Sequence, residues 1–524
     1  MSRYVQIIRQ EIVWLVPGLV ALAVGLAGIG VPELWRDEVS SWSAAGRPLR
    51  GLFGILANVD ASNGASYVLL HAWAGLFGDS PAALRLPSAL AVAGAASFTA
   101  LIARRMFASP VAGLAGGLLL ATVPQISRYA QEARAYAVVA CAVAAATWLL
   151  LRALERPAVD RWAWYALATG VAGVFHLVSL ACLVGQLPMV AAAARRPDAR
   201  RVLRQWPLAV AAGVAPALPV IALGRMQSGR QLSWLAAPTV RDLRFVWQEL
   251  FGSHQVLYAF LVLALPALLL RATRRSAVLL LLAAALPVGA VWAVSRLGST
   301  SFFLPRYLLF TVPLWAALAG GGVGALVALL RRAVPALRAP ADRDARRAPA
   351  ALSAAAAVLL VAAAAAVPAW LGLDHQRSLR TAASHTDTDY RGAARLVAAG
   401  YAPGDGLVAV GGDMSWMMVG PAVSYYLPAG VHPRQFFVRE SATAAHDLFA
   451  VECPVPAACV GDERRVWVVT IGTGDDPYEW LPAEQARALR AAFVPAEVRH
   501  VPGLTVSLLV RRPAVGAAPA PGHA

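Results

Sequence analysis

An alternation constrains this chain more than any other feature. Long apolar runs follow one another, and at every second junction the connecting loop is rich in arginine. A helix needs about 20 apolar residues to cross roughly 30 Å of hydrocarbon, and short basic loops stay on the cytoplasmic side. A basic start with Arg3 and Arg9 therefore leads into an outward span at 12–29. That run has no small-residue cleavage site and reads as a retained span. Further spans are expected near 83–103, 110–124 and 137–151, as a hairpin within 162–194, and at 207–223. The next ends at Arg271, and the rest follow at 277–294, from Arg306 to about 331, and at 348–371. Arg104, Arg105, Arg152, Arg156, Arg161, Arg195, Arg196, Arg200, Arg201, Arg204, Arg271, Arg274, Arg275 and the segment 331–347 fall on the inner side. About 11 spans with the start inside leave the remainder outside.

Composition agrees. The 524 residues are 59% hydrophobic and 14% charged, with a mean hydropathy of +0.59, which suits a polytopic membrane protein with room for a soluble domain. The net charge of +17 is carried by arginine alone, since the chain has no lysine. The basic groups sit in loops between apolar runs, not in a stripe interleaved with aromatics, so nucleic acid is not an expected partner.

The expected organisation is a membrane domain at 1–371, with amphipathic outer loops at 33–82 and 224–255 whose Trp and Tyr residues lie at headgroup level. An extracytoplasmic α/β domain follows at 372–512, then a disordered tail at 513–524. Within the soluble part, 407–410, 466–470 and 504–510 read as strands, and 390–400 and 483–493 as helices. Gly472-Thr473-Gly474 follows a strand in the manner of a phosphate loop, a weak signal by itself. Cys141 and Cys182 lie in apolar runs. Cys453 and Cys459 could close a small loop if this part is extracytoplasmic.

Three charged patches fall on the expected outer face. Asp37-Glu38 follows the first span. Arg128-Tyr129-Ala130-Gln131-Glu132-Ala133-Arg134-Ala135-Tyr136 joins the third and fourth, and Pro305-Arg306-Tyr307 enters the tenth. Arginine at that edge runs against the charge bias of the loops. Any one of these arginines alone is explained by snorkelling to headgroups, and the acids alone by a solvated loop. Together they suit chemistry on a lipid phosphate. Guanidinium binds phosphate bidentately, a carboxylate accepts a proton from an attacking hydroxyl, and arginine neutralises charge on a leaving phosphate.

At these residues the chain resembles the GT-C glycosyltransferases of the family 39 type, the polytopic superfamily that includes protein O-mannosyltransferases and aminoarabinose transferases. The matching features are Leu34-Trp35-Arg36-Asp37-Glu38, Gly78-Asp79-Ser80 with Leu84-Arg85-Leu86-Pro87-Ser88-Ala89, Tyr129 to Tyr136, and Arg306-Tyr307-Leu308. They stand in the family's order between Leu34 and Leu308. The resemblance implies a polyprenyl-phosphate-linked sugar donor and an inverting transfer outside the cytoplasm to a glycan, lipid or protein acceptor. By it, Asp37 is the base, Glu38 positions groups, Arg134 and Arg306 are candidates for the donor phosphate, and Glu132 orients an arginine or meets substrate. Arg128, Gln131, Tyr136 and Tyr307 join them as candidate donor or substrate contacts.

The chain departs from the pattern at Ser62-Asn63-Gly64-Ala65-Ser66-Tyr67, where many relatives carry a His-Pro-Pro-like turn. Asp60 and Asn63 remain as polar substitutes there, and with Tyr67 and Arg85 they are candidate acceptor or loop contacts. Arg85 equally suits an anchor for the second span. The nine histidines form no close metal motif, so no metal is expected, although some members of the wider superfamily use a divalent cation. Two other classes stay open: a transporter or flippase of a lipid-linked or anionic substrate, and a non-catalytic envelope assembly protein. Against transport, no span carries a charge near its middle.

Overall fold

The computed structural model describes residues 3–195, 199–333 and 347–513. Residues 514–524 of the tail expected to be disordered lie outside the described residues, as do Arg196 and most of the basic loop 331–347. The chain forms two compact units, Met1–Val31 with Leu56–Thr381 and Pro32–Ile55 with Ala382–Ala524. The segment after the first helix therefore belongs to the same compact unit as the C-terminal residues.

The first unit is helical, and each run expected to cross the membrane is a helix or helix pair. In chain order these are Arg3–Leu26, Pro81–Met106, Pro110–Thr122, Tyr136–Glu155, Val159–Phe175, Cys182–Ala193, Ala199–Val214 with Leu218–Gln231, His254–Leu269, Arg271–Leu297, Val312–Ala333 and Arg347–Leu371. Among the described residues, five helical segments are long and apolar enough to span by themselves, or seven if two bent pairs each count as one; three more apolar helices are shorter. The bent pairs explain part of the difference from eleven. Pro110–Thr122 and Pro124–Ala130 meet at 70°, and Val240–Phe251 and His254–Leu269 at 91°. Pro124 cannot donate to the preceding turn, and Gly252 ends its helix at φ +70°. The chain is a multi-pass membrane protein.

Close helix contacts rest on small residues, because lipid supplies no hydrophobic drive between apolar surfaces. Val312–Ala333 packs on Pro110–Thr122 and on His254–Leu269 through Gly320-Gly321-Gly322. A Cβ at Gly320 would stand 2.4 Å from Gly116 N, and one at Gly322 1.7 Å from Leu263 O. These obstacles are backbone and cannot swing away. Gly322→Ala is expected to cost about 1–3 kcal/mol through overpacking. Gly289→Ala, where a Cβ meets nothing within 4 Å, serves as control. Thermal midpoints in detergent should fall for the first and not for the second.

The second unit is built on a five-stranded sheet. In chain order the unit's strands are β1 (Gly406–Ala409), β2 (Arg434–Gln435), β3 (Val438–Glu440), β4 (Val451–Glu452), β5 (Arg465–Ile471), β6 (Phe493–Val501) and β7 (Leu504–Arg511). The main sheet runs β2-β1-β5-β7-β6, parallel across β2, β1 and β5 and antiparallel across β5, β7 and β6. β3 and β4 form a separate antiparallel pair. Val408, Val466, Val468, Phe436, Leu489, Phe493 and Leu509 pack into its core. Cys453 and Cys459 are joined in a disulfide. The Gly472-Thr473-Gly474 turn is tied to its own sheet. Its Gly472 N–H donates to Gly503 O, and its Gly472 and Gly474 carbonyls accept from Thr505 Oγ1.

Candidate functional site

In the helical unit, the short helix Pro124–Ala130 ends in a turn at 131–135 before Tyr136–Glu155 begins. That turn places the Arg128–Tyr136 motif. Glu132 is buried and pairs with Arg128 Nη1 at 2.8 Å, four residues back. Ser88 Oγ donates to Glu132 O at 2.6 Å and pins the turn to the second long helix. Arg134 Nη1 donates to Tyr67 Oη at 3.4 Å, and Tyr67 Oη donates to Asp60 Oδ2. Asp60 Oδ1 also accepts from Asn63 Nδ2 at 2.6 Å and Gln231 Nε2 at 3.3 Å. Asp60, Asn63 and Tyr67 thus form one network that ends on Arg134.

An aromatic wall adjoins this network. The Tyr136 ring lies 5.2 Å from Tyr129, 6.1 Å from Tyr307 in a stacked arrangement, and 5.8 Å from His176; His176 lies 4.5 Å from Tyr307. Tyr307 belongs to the 3₁₀ turn Pro305–Thr311, and the Arg306 guanidinium is 5.7 Å from its ring. Arg134 and Arg306 both act electrostatically on His176. The structure therefore gathers Arg128, Glu132, Arg134, Tyr136, Arg306 and Tyr307 into one cluster. Its three guanidinium groups and aromatic faces suit an anion beside an apolar body.

Two sequence candidates do other work. Gln131 is buried, and its amide donates to Gly25 O at 2.9 Å and Ala27 O at 2.7 Å. Arg85 is wholly buried and donates to Ile29 O at 2.9 Å. Both satisfy carbonyls at or just beyond the end of the first helix, Gly25 in its last turn and Ala27 and Ile29 after it. Arg380 joins them, donating to Val24 O and Ala27 O, each at 2.9 Å. Conversely, His176 lies within the hairpin expected at 162–194 and was not singled out from the sequence as a site residue. Its signal was a lone histidine between two apolar runs. Its Nδ1 is buried with no hydrogen-bond partner among the described residues.

In the second unit, Arg36–Ala45 carries Asp37 and Glu38 in its first turn, where acids favour the helix dipole. Tyr426 Oη accepts from Leu34 N at 2.8 Å, the Arg36 guanidinium covers the Trp416 ring at 4.7 Å, and Arg47 donates to Ala442 O and Asp447 O. Asp37 is half-buried, with Arg36 Nε 3.7 Å from its Oδ1. Glu38 is fully buried, and its Oε2 lies 3.5 Å from His385 Nδ1. His385, another residue the sequence did not single out, gives Glu38 a partner inside the fold. Among the described residues, no group of three or more His, Cys, Asp or Glu side chains could hold a metal ion.

Glu33 sits beside this helix. Its Oε2 accepts from Arg391 N at 3.1 Å, and its carboxyl meets that of Asp389. Burial first, then the Asp389 carboxylate, push its pKa from the usual 4.5 up to about 7, against the Arg391 contacts. The folded state thus keeps a proton that the unfolded chain releases. The stability this contributes is complete below about pH 4.5 and lost as pH rises through about 7. The thermal midpoint is expected to fall between pH 5 and 8 in the wild type, and to fall less in Glu33→Gln.

Comparison with known proteins fits this geometry. The family described as dolichyl-phosphate-mannose-protein mannosyltransferase matches over residues 65–223, less than half of the chain. Two crystal structures of ArnT from Cupriavidus metallidurans resemble it along nearly its whole length. The apo form superposes with a TM-score of 0.57 and the form bound to undecaprenyl phosphate with 0.60. In each case the identity is 16%, with 94% of this chain and 97% of the other covered. No curated protein sequence matches significantly. The fold is similar to that of ArnT, a member of the superfamily that the sequence motifs resemble.

Proposed function

We propose that this chain is a membrane glycosyltransferase that moves a sugar from a polyprenyl-phosphate donor to an extracytoplasmic acceptor with inversion. The observation that carries the reading is the cluster of Arg128, Arg134 and Arg306 against Tyr129, Tyr136 and Tyr307. ArnT, the structural neighbour, was crystallised with undecaprenyl phosphate, a ligand with the anionic head and apolar tail that such a cluster suits. The first helix starts in the cytoplasm, and the C-terminal unit lies outside the cytoplasm.

The acceptor hydroxyl oxygen attacks the anomeric carbon, and the bond from that carbon to the phosphate oxygen breaks. The electron pair leaves with polyprenyl phosphate, and the hydroxyl proton passes to the Asp37 carboxylate. Arg134 and Arg306 bind the leaving phosphate and neutralise the charge that develops on it. Glu132 orients Arg128, and Tyr67, held by Asp60, orients Arg134. Glu38 is a positioning residue, anchored by His385.

The test uses purified protein in nanodiscs with a panel of polyprenyl-phosphate sugars and an envelope extract as acceptor source. Wild type should release polyprenyl phosphate and form a glycosidic product. Asp37→Asn should lose about 10²–10⁴-fold in rate while still binding donor. Movement of intact donor across the bilayer without a new glycosidic bond would establish transport instead, and an unchanged rate in Asp37→Asn would remove Asp37 from the chemistry.

A further inference from the structure

The opposite end of the helical unit, away from the tyrosine-lined cluster, holds a second concentration of arginine that the proposed reaction does not use. Cys182–Ala193 and Arg271–Leu297 pack against each other, and a pocket of about 550 Å³ opens between them. Arg195, Arg271, Arg274 and Arg275 line it above a floor of Pro188, Ala191, Ala192, Val278 and Leu279.

The charge arrangement there is unfavourable without a ligand. Arg271, Arg274 and Arg275 occupy the first turns of a 27-residue helix, where the exposed N–H groups make the positive end of the macrodipole and cations are disfavoured. Arg271 and Arg275 stand four residues apart on one helix face, a spacing at which like charges repel. Within the described residues no carboxylate offsets them. Among the described residues, the side chains of Arg195, Arg271 and Arg274 make no hydrogen bond or ion pair, and Arg275 makes a long contact from Nη2 to Ala192 O at 3.5 Å. Charge bias in loops accounts for arginine at this end of the helices. It does not account for four of them around one concavity with no acid among them.

We propose that this pocket binds the phosphate headgroup of an anionic phospholipid. An anion there answers both the dipole and the mutual repulsion, and guanidinium is the side chain best matched to phosphate oxygens. A lipid is favoured over free phosphate by the apolar floor and by what continues from it. Val184 and Leu187 on one helix and Val278 on the other are large, exposed apolar side chains, and they give an acyl chain a path along the same two helices. Basic pockets between transmembrane helices at the cytoplasmic face are known lipid headgroup sites in general. This inference does not depend on the transferase reading, and its failure would leave that reading untouched.

The test is the thermal midpoint and lipid affinity of the full-length purified protein in a neutral detergent, titrated with phosphatidylglycerol, phosphatidylcholine or inorganic phosphate. Phosphatidylglycerol should raise the midpoint of the wild type, with the other two having little effect at equal concentration. The combined variant Arg271→Gln, Arg274→Gln, Arg275→Gln should bind phosphatidylglycerol at least about tenfold more weakly. Ala191→Trp keeps every arginine and fills the floor, and it should lose the lipid effect as well. Equal stabilisation of wild type and both variants would overturn the proposal. So would the absence of any lipid effect on wild type. An effect of inorganic phosphate as large as that of the lipid would also overturn it, showing a simple anion site.

Discussion

A guanidinium at the end of an apolar helix has to be hydrated, hydrogen-bonded or matched by an anion, because hydrocarbon offers it nothing. The helical unit resolves this requirement in several distinct ways. Arg85 and Arg380 donate to carbonyls at or just beyond the end of the first helix, joined there by the amide of Gln131. Arg128 is balanced by the buried Glu132. Arg134 meets the Tyr67–Asp60 network. The turn 131–135 joins two of these solutions, since Gln131 fixes it to the first helix while Glu132 and Arg134 face the cluster.

A second constraint acts on the helices themselves. Association in lipid depends on close backbone approach, and Gly320 and Gly322 allow Val312–Ala333 to touch two neighbours. That helix follows the turn bearing Arg306 and Tyr307. The glycines and the cluster are therefore parts of one problem: the packing that sets the helix also sets where Tyr307 stacks against Tyr136.

Much of this was legible in the sequence, because the signals were strong and local. The apolar runs are helices, and the strands at 407–410, 466–470 and 504–510 and the helices at 390–400 and 483–493 appear within a residue or two of their expected ends. The strand Phe493–Val501 was missed because Pro495, Glu497, Arg499 and His500 break its apolar pattern, as an edge strand's solvent face permits. The order of that sheet depends on long-range pairing, which no local pattern carries.

The site was legible as residue types more than as roles. Arg128, Glu132, Arg134, Tyr136, Arg306 and Tyr307 could be picked out because polar groups at helix ends demand a reason. Arg85 was open to either reading, as an anchor or as a contact, and that Gln131 would serve carbonyls could not be read, since a capping amide and a ligand-binding amide look alike in sequence. His176 and His385 act through neighbours distant in the chain, Tyr307 and Glu38 respectively. The membership of 32–55 in the second unit was hidden for the same reason, its partners being Tyr426, Trp416 and Arg391 nearly 400 residues later.

The account's central claim is that the arginine–tyrosine cluster holds a lipid-linked phosphate. The most direct measurement is the affinity of undecaprenyl phosphate for the wild type and for Arg134→Gln and Arg306→Gln in nanodiscs, with Arg105→Gln, whose partner Glu155 is at the far end of the helix that starts at Tyr136, as a control. Each charge-assisted contact contributes about 1.5–3 kcal/mol, so each cluster variant should bind roughly ten- to a hundredfold more weakly, with the control unchanged. Affinity unaltered in both cluster variants would contradict the account.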